Sequence, residues 1–158
     1  MTDPFREGYV VQPGEGKYVT WGPNRARFKV RGEDTQGRLS IVEFELGVGI
    51  GGPPLHTDNH DELFYVLDGE VTFQVEDAII EAATGALVFA PEGVLHAFEN
   101  RGSSTAQLLI MFSPGGFERY FEELSLLADA GPLDMSKVAP IAARHGTNYV
   151  GMPLWRDT

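Results

Sequence analysis

The chain has 158 residues, of which 42% are hydrophobic and 11% aromatic, a composition typical of one globular domain with its own core. Its formal net charge of −11 argues against nucleic acid or an anionic membrane surface as a partner, and the lack of cysteine excludes disulfides and thiolate chemistry. No apolar run approaches the roughly 20 residues of a membrane span, and the N-terminal segment has no signal-peptide core, so we expect a cytoplasmic protein.

Short strand-like segments separated by glycine and proline fill the first two thirds of the chain. The first three lie at 17–21, 26–31 and 39–46, and in the third of them apolar and acidic residues alternate from Val42 to Leu46. This alternation is typical of a half-buried strand. Strands of this length, spaced by about ten residues, favour a sandwich or barrel. The remaining predicted strands cover residues 62–67, 70–77, 78–82, 86–91, 96–100 and 105–113.

The sequence changes character after Pro114. Aromatic and leucine residues recur at helical spacing from Phe117 onward, which predicts a helix that ends at Gly131. A second, shorter helix is predicted over about 136–145. We expect residues 147–155 to form an extended segment that packs back on the body of the protein.

Candidate metal ligands are concentrated in the window from Gly51 to Glu70. On a strand, residues i and i+2 face the same way, so His56 and Asp58 can point together into a barrel. Glu62 opens the next strand, and His96 follows a turn further along the chain. A buried histidine needs a partner for each ring nitrogen, and a metal ion on one nitrogen with a polar group on the other meets that need.

The second of these segments resembles a motif of the cupin superfamily. That motif has glycine, proline, glycine, histidine and asparagine at fixed spacing, and it is complete here over residues 85–100. The matching residues are Gly85, Pro91, Gly93, His96 and Asn100.

The first cupin motif is matched in part, at about residues 50–69, by His56, Glu62 and Gly69. Ile50 stands where the family has its leading glycine, and Asp58 stands where it has a second histidine. In overall layout the chain is similar to the bacterial single-domain cupins described as quercetin-dioxygenase-like.

The resemblance implies metal ligation by His56, Glu62 and His96 and leaves the fourth position open. Asp58 can replace the histidine as a ligand, or a local bulge can bring in His60 instead. Water can fill the gap and leave a two-histidine, one-carboxylate triad, or the site can lack a functional metal. We favour Asp58 as the ligand, and we expect His60 and Asp61 to be solvated turn residues.

The donor types favour particular ions. Two neutral histidines and two carboxylates would balance the charge of a divalent cation, and oxygen-rich ligand sets suit harder ions better than Cu²⁺. We therefore expect iron or manganese, with nickel or zinc as alternatives.

The fold expected from the resemblance is all-β: a double-stranded β-helix, or jelly-roll, barrel over residues 1–114, followed by a short helical extension over 115–158. The resemblance also implies a homodimer, since cupin barrels commonly pair and exposed strand edges favour pairing.

The function implied is that of a metal-dependent dioxygenase acting on an aromatic or polyphenolic small molecule, with Glu62 able to take a substrate proton. A non-oxidative cyclase, isomerase or decarboxylase is an alternative, and so is a non-catalytic small-molecule binder with a degraded metal site. The expected pocket residues are Phe44, Phe64, Phe73 and Phe98.

Overall fold

Two antiparallel β-sheets enclose the core in the computed structural model, which describes residues 7–49 and 52–156. Ile50 and Gly51, at the start of the first motif, lie outside the described residues, as do residues 1–6 and 157–158. The strands in chain order are β1 Tyr18–Trp21, β2 Asn24–Val30, β3 Ser40–Leu46, β4 Leu55–Asp58, β5 Asp61–Asp68, β6 Glu70–Val75, β7 Ala78–Ala83, β8 Leu87–Ala90, β9 His96–Glu99, β10 Ala106–Ser113 and β11 Thr147–Gly151.

The strand order confirms the expected all-β jelly-roll architecture. One sheet has six strands in the order β1-β2-β3-β10-β5-β8, and the other has five in the order β11-β4-β9-β6-β7. Strands that are distant in sequence are therefore neighbours in space, and β4 pairs with both β9 and β11. This arrangement places the two histidine-bearing segments side by side.

Alternating burial along the strands fills the space between the sheets. Every second residue of β3 is buried, as the apolar and acidic alternation predicts. A tight turn follows β5, where Gly69 has a φ of 90°, a conformation that glycine adopts at no steric cost. The largest wholly buried apolar side chains include Phe64, Phe73 and Phe112.

Two helices follow the last strand of the six-stranded sheet, α1 over Glu118–Ala130 and α2 over Met135–Arg144. The apolar stripe predicted from sequence packs α1 inward through Tyr120, Phe121 and Leu124, which are buried. No helix in the described ranges is long and apolar enough to cross a membrane. The segment predicted as extended over 147–155 is a strand only to Gly151, after which a 3-10 turn at Leu154–Arg156 buries Trp155.

A buried carboxylate ties α1 to the barrel. Glu118 Oε1 accepts a hydrogen bond of 2.7 Å from Gly32 N, and Oε2 accepts one of 3.1 Å from Gly116 N. Glu118 is only 2% exposed, so these two backbone donors replace the water that the charged group has lost. The contact fixes the first turn of α1 against the connection between β2 and β3.

Removal of this carboxylate should loosen the helix. We expect Glu118→Ala to lower the free energy of unfolding by about 2 kcal/mol, because the buried Gly32 N–H loses its acceptor. Glu118→Gln, which keeps one acceptor oxygen, should lie between Glu118→Ala and the wild type. Urea denaturation measures the change, with Arg119→Ala at the next, exposed position as the control. Equal stability of the Glu118 and Arg119 alanine variants would contradict this role.

Candidate metal centre

Four side chains from three strands converge inside the barrel: His56 and Asp58 on β4, Glu62 on β5 and His96 on β9. His56 and His96 are direct cross-strand partners, so their side chains emerge on the same face of the sheet, with ring centroids 4.2 Å apart. Asp58 shares that face because it lies two residues beyond His56. All four residues are buried, and one ligand atom from each lies within 4.8 Å of the others.

Backbone carbonyls orient both imidazoles. His56 Nδ1 lies 2.7 Å from Pro54 O, and His96 Nδ1 lies 3.0 Å from Val94 O. Because a carbonyl only accepts, each Nδ1 carries the hydrogen and donates it. In the neutral rings both Nε2 atoms are then left with a lone pair that faces the centre of the cluster. In metal-binding histidines, the ring nitrogen that does not bind the metal usually donates a hydrogen bond of this kind.

Asp58 is held from the side by the neighbouring strand. Thr147 is its cross-strand partner on β11 and donates a hydrogen bond from its hydroxyl to Asp58 Oδ1. The other oxygen, Oδ2, is buried and has no hydrogen-bond partner. It lies 3.3 Å from His56 Nε2 and 3.4 Å from His96 Nε2. A buried carboxylate oxygen without a partner is costly, and a cation at this point would satisfy it.

The spacing of the donor atoms fits a single ion. His96 Nε2 and Glu62 Oε2 are 3.0 Å apart, and the two contacts to Asp58 Oδ2 are 3.3 and 3.4 Å. Ligands about 2.1 Å from a metal lie about 3.0 Å apart at right angles and about 3.4 Å apart at tetrahedral angles. These three separations are therefore the ones expected of donors that share one divalent cation, and all four donor atoms lie within 4.8 Å of one another.

The electrostatics of the cluster also favour a positive charge at its centre. Burial alone would lower the pKa of His96, but the hydrogen bond to Glu62 and the nearby carboxylates raise it above its usual value. Burial alone would raise the pKa of Asp58, but the neighbouring imidazoles of His56 and His60, with the hydrogen bond from Thr147, hold it well below its usual range. Both shifts stabilise the charged form of the group.

His60 lies beside the cluster and outside the group of four. The expectation that it is a solvated turn residue was wrong, because the side chain is 4% exposed and its ring packs on Phe112 and Phe117. Its Nε2 lies 3.7 Å from Asp58 Oδ2. Both of these atoms are buried and have no hydrogen-bond partner. Asp61, only partly buried, points elsewhere and accepts a hydrogen bond from Glu92 N.

Two adjoining cavities open next to the cluster. A small one of about 30 Å³ is lined by His56, Glu62 and Thr147 among others. A larger one of about 190 Å³ lies beyond it. The residues that line both are Pro53, Phe98, Tyr120, Phe121 and Tyr149. An apolar cavity of about 150 Å³ is large enough to bind benzene, so the larger cavity has room for an aromatic ring.

The aromatic residues expected at the pocket divide into two groups. Phe44 and Phe98 line the larger cavity. Phe64 and Phe73 instead pack against each other in the core, where both are wholly buried. The phase of a strand indicates which side chains point into a barrel, but it does not distinguish the packed end of that interior from the open end.

Sequence reasoning missed Tyr120 and Tyr149. Their hydroxyl oxygens are 3.0 Å apart and share one hydrogen bond. Burial, together with the neighbouring phenol and Asp58, raises the pKa of Tyr120 well above its usual value. Burial and the charge of Asp58 also raise the pKa of Tyr149, although the hydrogen bond from Tyr120 opposes this. The sequence did contain a signal for Tyr120, because it is an aromatic residue with a hydroxyl group within the predicted apolar stripe of α1.

Comparison with known proteins supports the family suggested by the motifs. Residues 40–112 match the family model described as "Cupin domain". The chain is also similar to a quercetin 2,3-dioxygenase of Bacillus subtilis, with 26% identity over 116 residues. That match covers 73% of this chain but only 34% of the relative, so the chain spans about a third of the length of the enzyme it resembles.

Solved structures show the same fold at low sequence identity. KdgF from a Halomonas species superposes with a TM-score of 0.62 and 18% identity, covering 72% of this chain and 99% of KdgF. The polyketide cyclase RemF of Streptomyces resistomycificus gives a TM-score of 0.59 with 21% identity, covering 68% of this chain and 80% of RemF.

The contribution of Asp58 to metal binding can be tested directly. We expect Asp58→Asn to weaken Mn²⁺ binding at least about 10-fold, because it removes a charged donor while keeping the side-chain shape. Asp61→Asn is the matched control, since that carboxylate lies close in sequence but outside the cluster. Isothermal titration of chelator-treated protein measures both affinities. Unchanged affinity in Asp58→Asn would remove Asp58 from the ligand set.

Proposed function

We propose that this chain, whose residues 40–112 match the family model described as "Cupin domain", is a metal-dependent dioxygenase acting on an aromatic small molecule. The observation that carries this proposal is that two residues of the cluster, His56 and Glu62, line a small cavity that shares five lining residues with a larger apolar cavity. The similarity to a quercetin 2,3-dioxygenase supports the oxidative reaction. A mostly apolar pocket with a few polar groups close by is typical of small-molecule sites.

The proposed metal site consists of His56, Asp58, Glu62 and His96. Two neutral imidazoles and two carboxylates balance a divalent ion and favour Fe²⁺ or Mn²⁺ over Cu²⁺. An ion of this kind would supply Lewis acidity and, being redox-active, electron exchange with dioxygen. The protein supports the site by fixing both imidazoles through backbone carbonyls and Asp58 through Thr147.

The lining of the larger cavity indicates the substrate class. It is dominated by aromatic and aliphatic side chains, and no charged residue of the described ranges contributes to it. Phosphorylated sugars and small dicarboxylates need cationic partners, which this cavity does not offer. A flat, uncharged aromatic molecule can instead lie against Trp21, Phe44 and Phe98.

Glu62 is the residue best placed to receive a substrate proton. It lines the small cavity next to the cluster, and its Oε2 already lies 3.0 Å from His96 Nε2. Glu62 is the one acidic residue among the described residues that line either cavity. A phenolic substrate that enters from the larger cavity would therefore approach this carboxylate. A proton held between Glu62 and its neighbours would remain in a site sheltered from bulk water.

A non-oxidative reaction is the second candidate, favoured by the tyrosine pair. The raised pKa values of both hydroxyls keep them protonated, so they could donate a hydrogen bond to a carbonyl during cyclisation or isomerisation. In such an enzyme the metal would act only as a Lewis acid.

The identity of the metal ion should separate the two reactions. With quercetin and related phenols in air, we expect oxygen uptake by protein loaded with Fe²⁺ or Mn²⁺ and none by protein loaded with Zn²⁺, because zinc has no redox chemistry. A Clark electrode measures the uptake, and Asp61→Asn serves as the active control. Product formation that is equal under nitrogen and with Zn²⁺ would select the non-oxidative reaction. The absence of turnover under every condition would contradict both.

A further inference from the structure

Tyr120 and Tyr149 line both cavities, and their hydroxyls form a hydrogen bond with each other. Among the described residues that line both spaces, these two carry the only polar side-chain atoms. Tyr120 comes from α1 and Tyr149 from β11, so the pair joins the helical extension to the barrel at this point. A molecule that reaches from the larger cavity toward the cluster therefore meets side chains that include these two tyrosines.

Strand register fixes the position of the pair relative to the metal cluster. Tyr149 is the cross-strand partner of His56, which is in turn the partner of His96. The three side chains therefore form a row across one face of the five-stranded sheet, and the ring of Tyr149 packs edge-on against His56 with 6.1 Å between centroids. Cross-strand neighbours are spaced by the sheet itself, so the distance from hydroxyl to cluster is set by rigid elements.

The pair retains hydrogen-bonding capacity. Each tyrosine hydroxyl has one hydrogen to donate and can also accept, but the single contact between them uses only one of the two hydrogens. Neither hydroxyl has another partner among the described residues. The other polar groups that line the small cavity are Thr147, which bonds to Asp58, and His56 and Glu62, which belong to the cluster.

We propose that the Tyr120–Tyr149 hydroxyl pair is the specificity element of this cavity, selecting uncharged aromatic molecules that carry a carbonyl or phenolic oxygen. The free hydroxyl hydrogen donates to that oxygen, while the ring occupies the apolar cavity. The oxygen-bearing end then faces the cluster and the apolar end faces Leu124 and Val138. This inference rests on the proposed function in taking the cavity as the substrate site, and it adds the chemical feature by which substrates are chosen.

A pair of probes that differ in one hydroxyl tests the proposal. The wild-type protein should bind 1-naphthol about 5-fold or more tightly than naphthalene, since one additional hydrogen bond contributes about that factor. In the double variant Y120F/Y149F this preference should disappear. Naphthalene should bind the double variant as it binds the wild type, because the phenyl rings and the apolar lining remain. Fluorescence titration measures both affinities.

Controls separate the hydroxyl contact from other effects. Tyr65→Phe removes a hydroxyl from an exposed residue of β5 and should keep the naphthol preference. Titrations with Zn²⁺-loaded and with chelator-treated protein should give the same preference, which excludes a direct bond from naphthol to the metal. Because binding is measured without turnover, the result does not depend on whether the protein consumes oxygen.

Three results would overturn the proposal. The first is a wild-type protein that binds naphthol and naphthalene equally. The second is a double variant that retains the preference, since another group would then make the contact. The third is a wild-type protein that binds neither probe, since the cavity would then not take aromatic rings.

Discussion

The pairing of His56 with His96 is the constraint on which the site depends. These residues are 40 positions apart in the chain, yet the antiparallel register places their imidazoles on one face of one sheet. The same register brings Thr147 against Asp58 and Tyr149 against His56. A shift by one residue would turn the paired side chains to the opposite face, so the cluster and the tyrosine pair would be lost together.

The hydrogen bonds from outside the cluster reach only those atoms of His56, His96 and Asp58 that face away from its centre. Pro54 and Val94 hold one nitrogen of each histidine, and Thr147 holds one oxygen of Asp58. What remains is two ring nitrogens and an unpartnered carboxylate oxygen directed at a common centre. Such an arrangement is suited to a cation, because a buried carboxylate oxygen without a hydrogen-bond partner is costly.

Much of this could be predicted from local sequence. Alternation predicted the strands, helical spacing predicted α1, and motif spacing selected His56, Glu62 and His96. The burial of His60 could not be predicted, because its neighbours Phe112 and Phe117 come from the far end of the chain. The tyrosine pair was missed for the same reason, since it forms only when α1 and β11 both close over the barrel. The separation of Phe64 and Phe73 from the cavity likewise depends on depth in the barrel, which strand phase does not specify.

The two helices contribute side chains directly to the larger cavity. Tyr120, Phe121 and Leu124 of α1 and Val138 of α2 line the larger cavity together with Phe44 and Phe98 of the strands. The barrel thus supplies the cluster, and the helices supply much of the surface that would meet a substrate.

Anomalous diffraction from crystals of Mn²⁺-loaded protein tests the central claim most directly. The account predicts one ion bound by His56, Glu62 and His96, with Asp58 Oδ2 as the fourth protein ligand. An ion that binds His60 in place of Asp58, or an empty site in protein saturated with Mn²⁺, would contradict it.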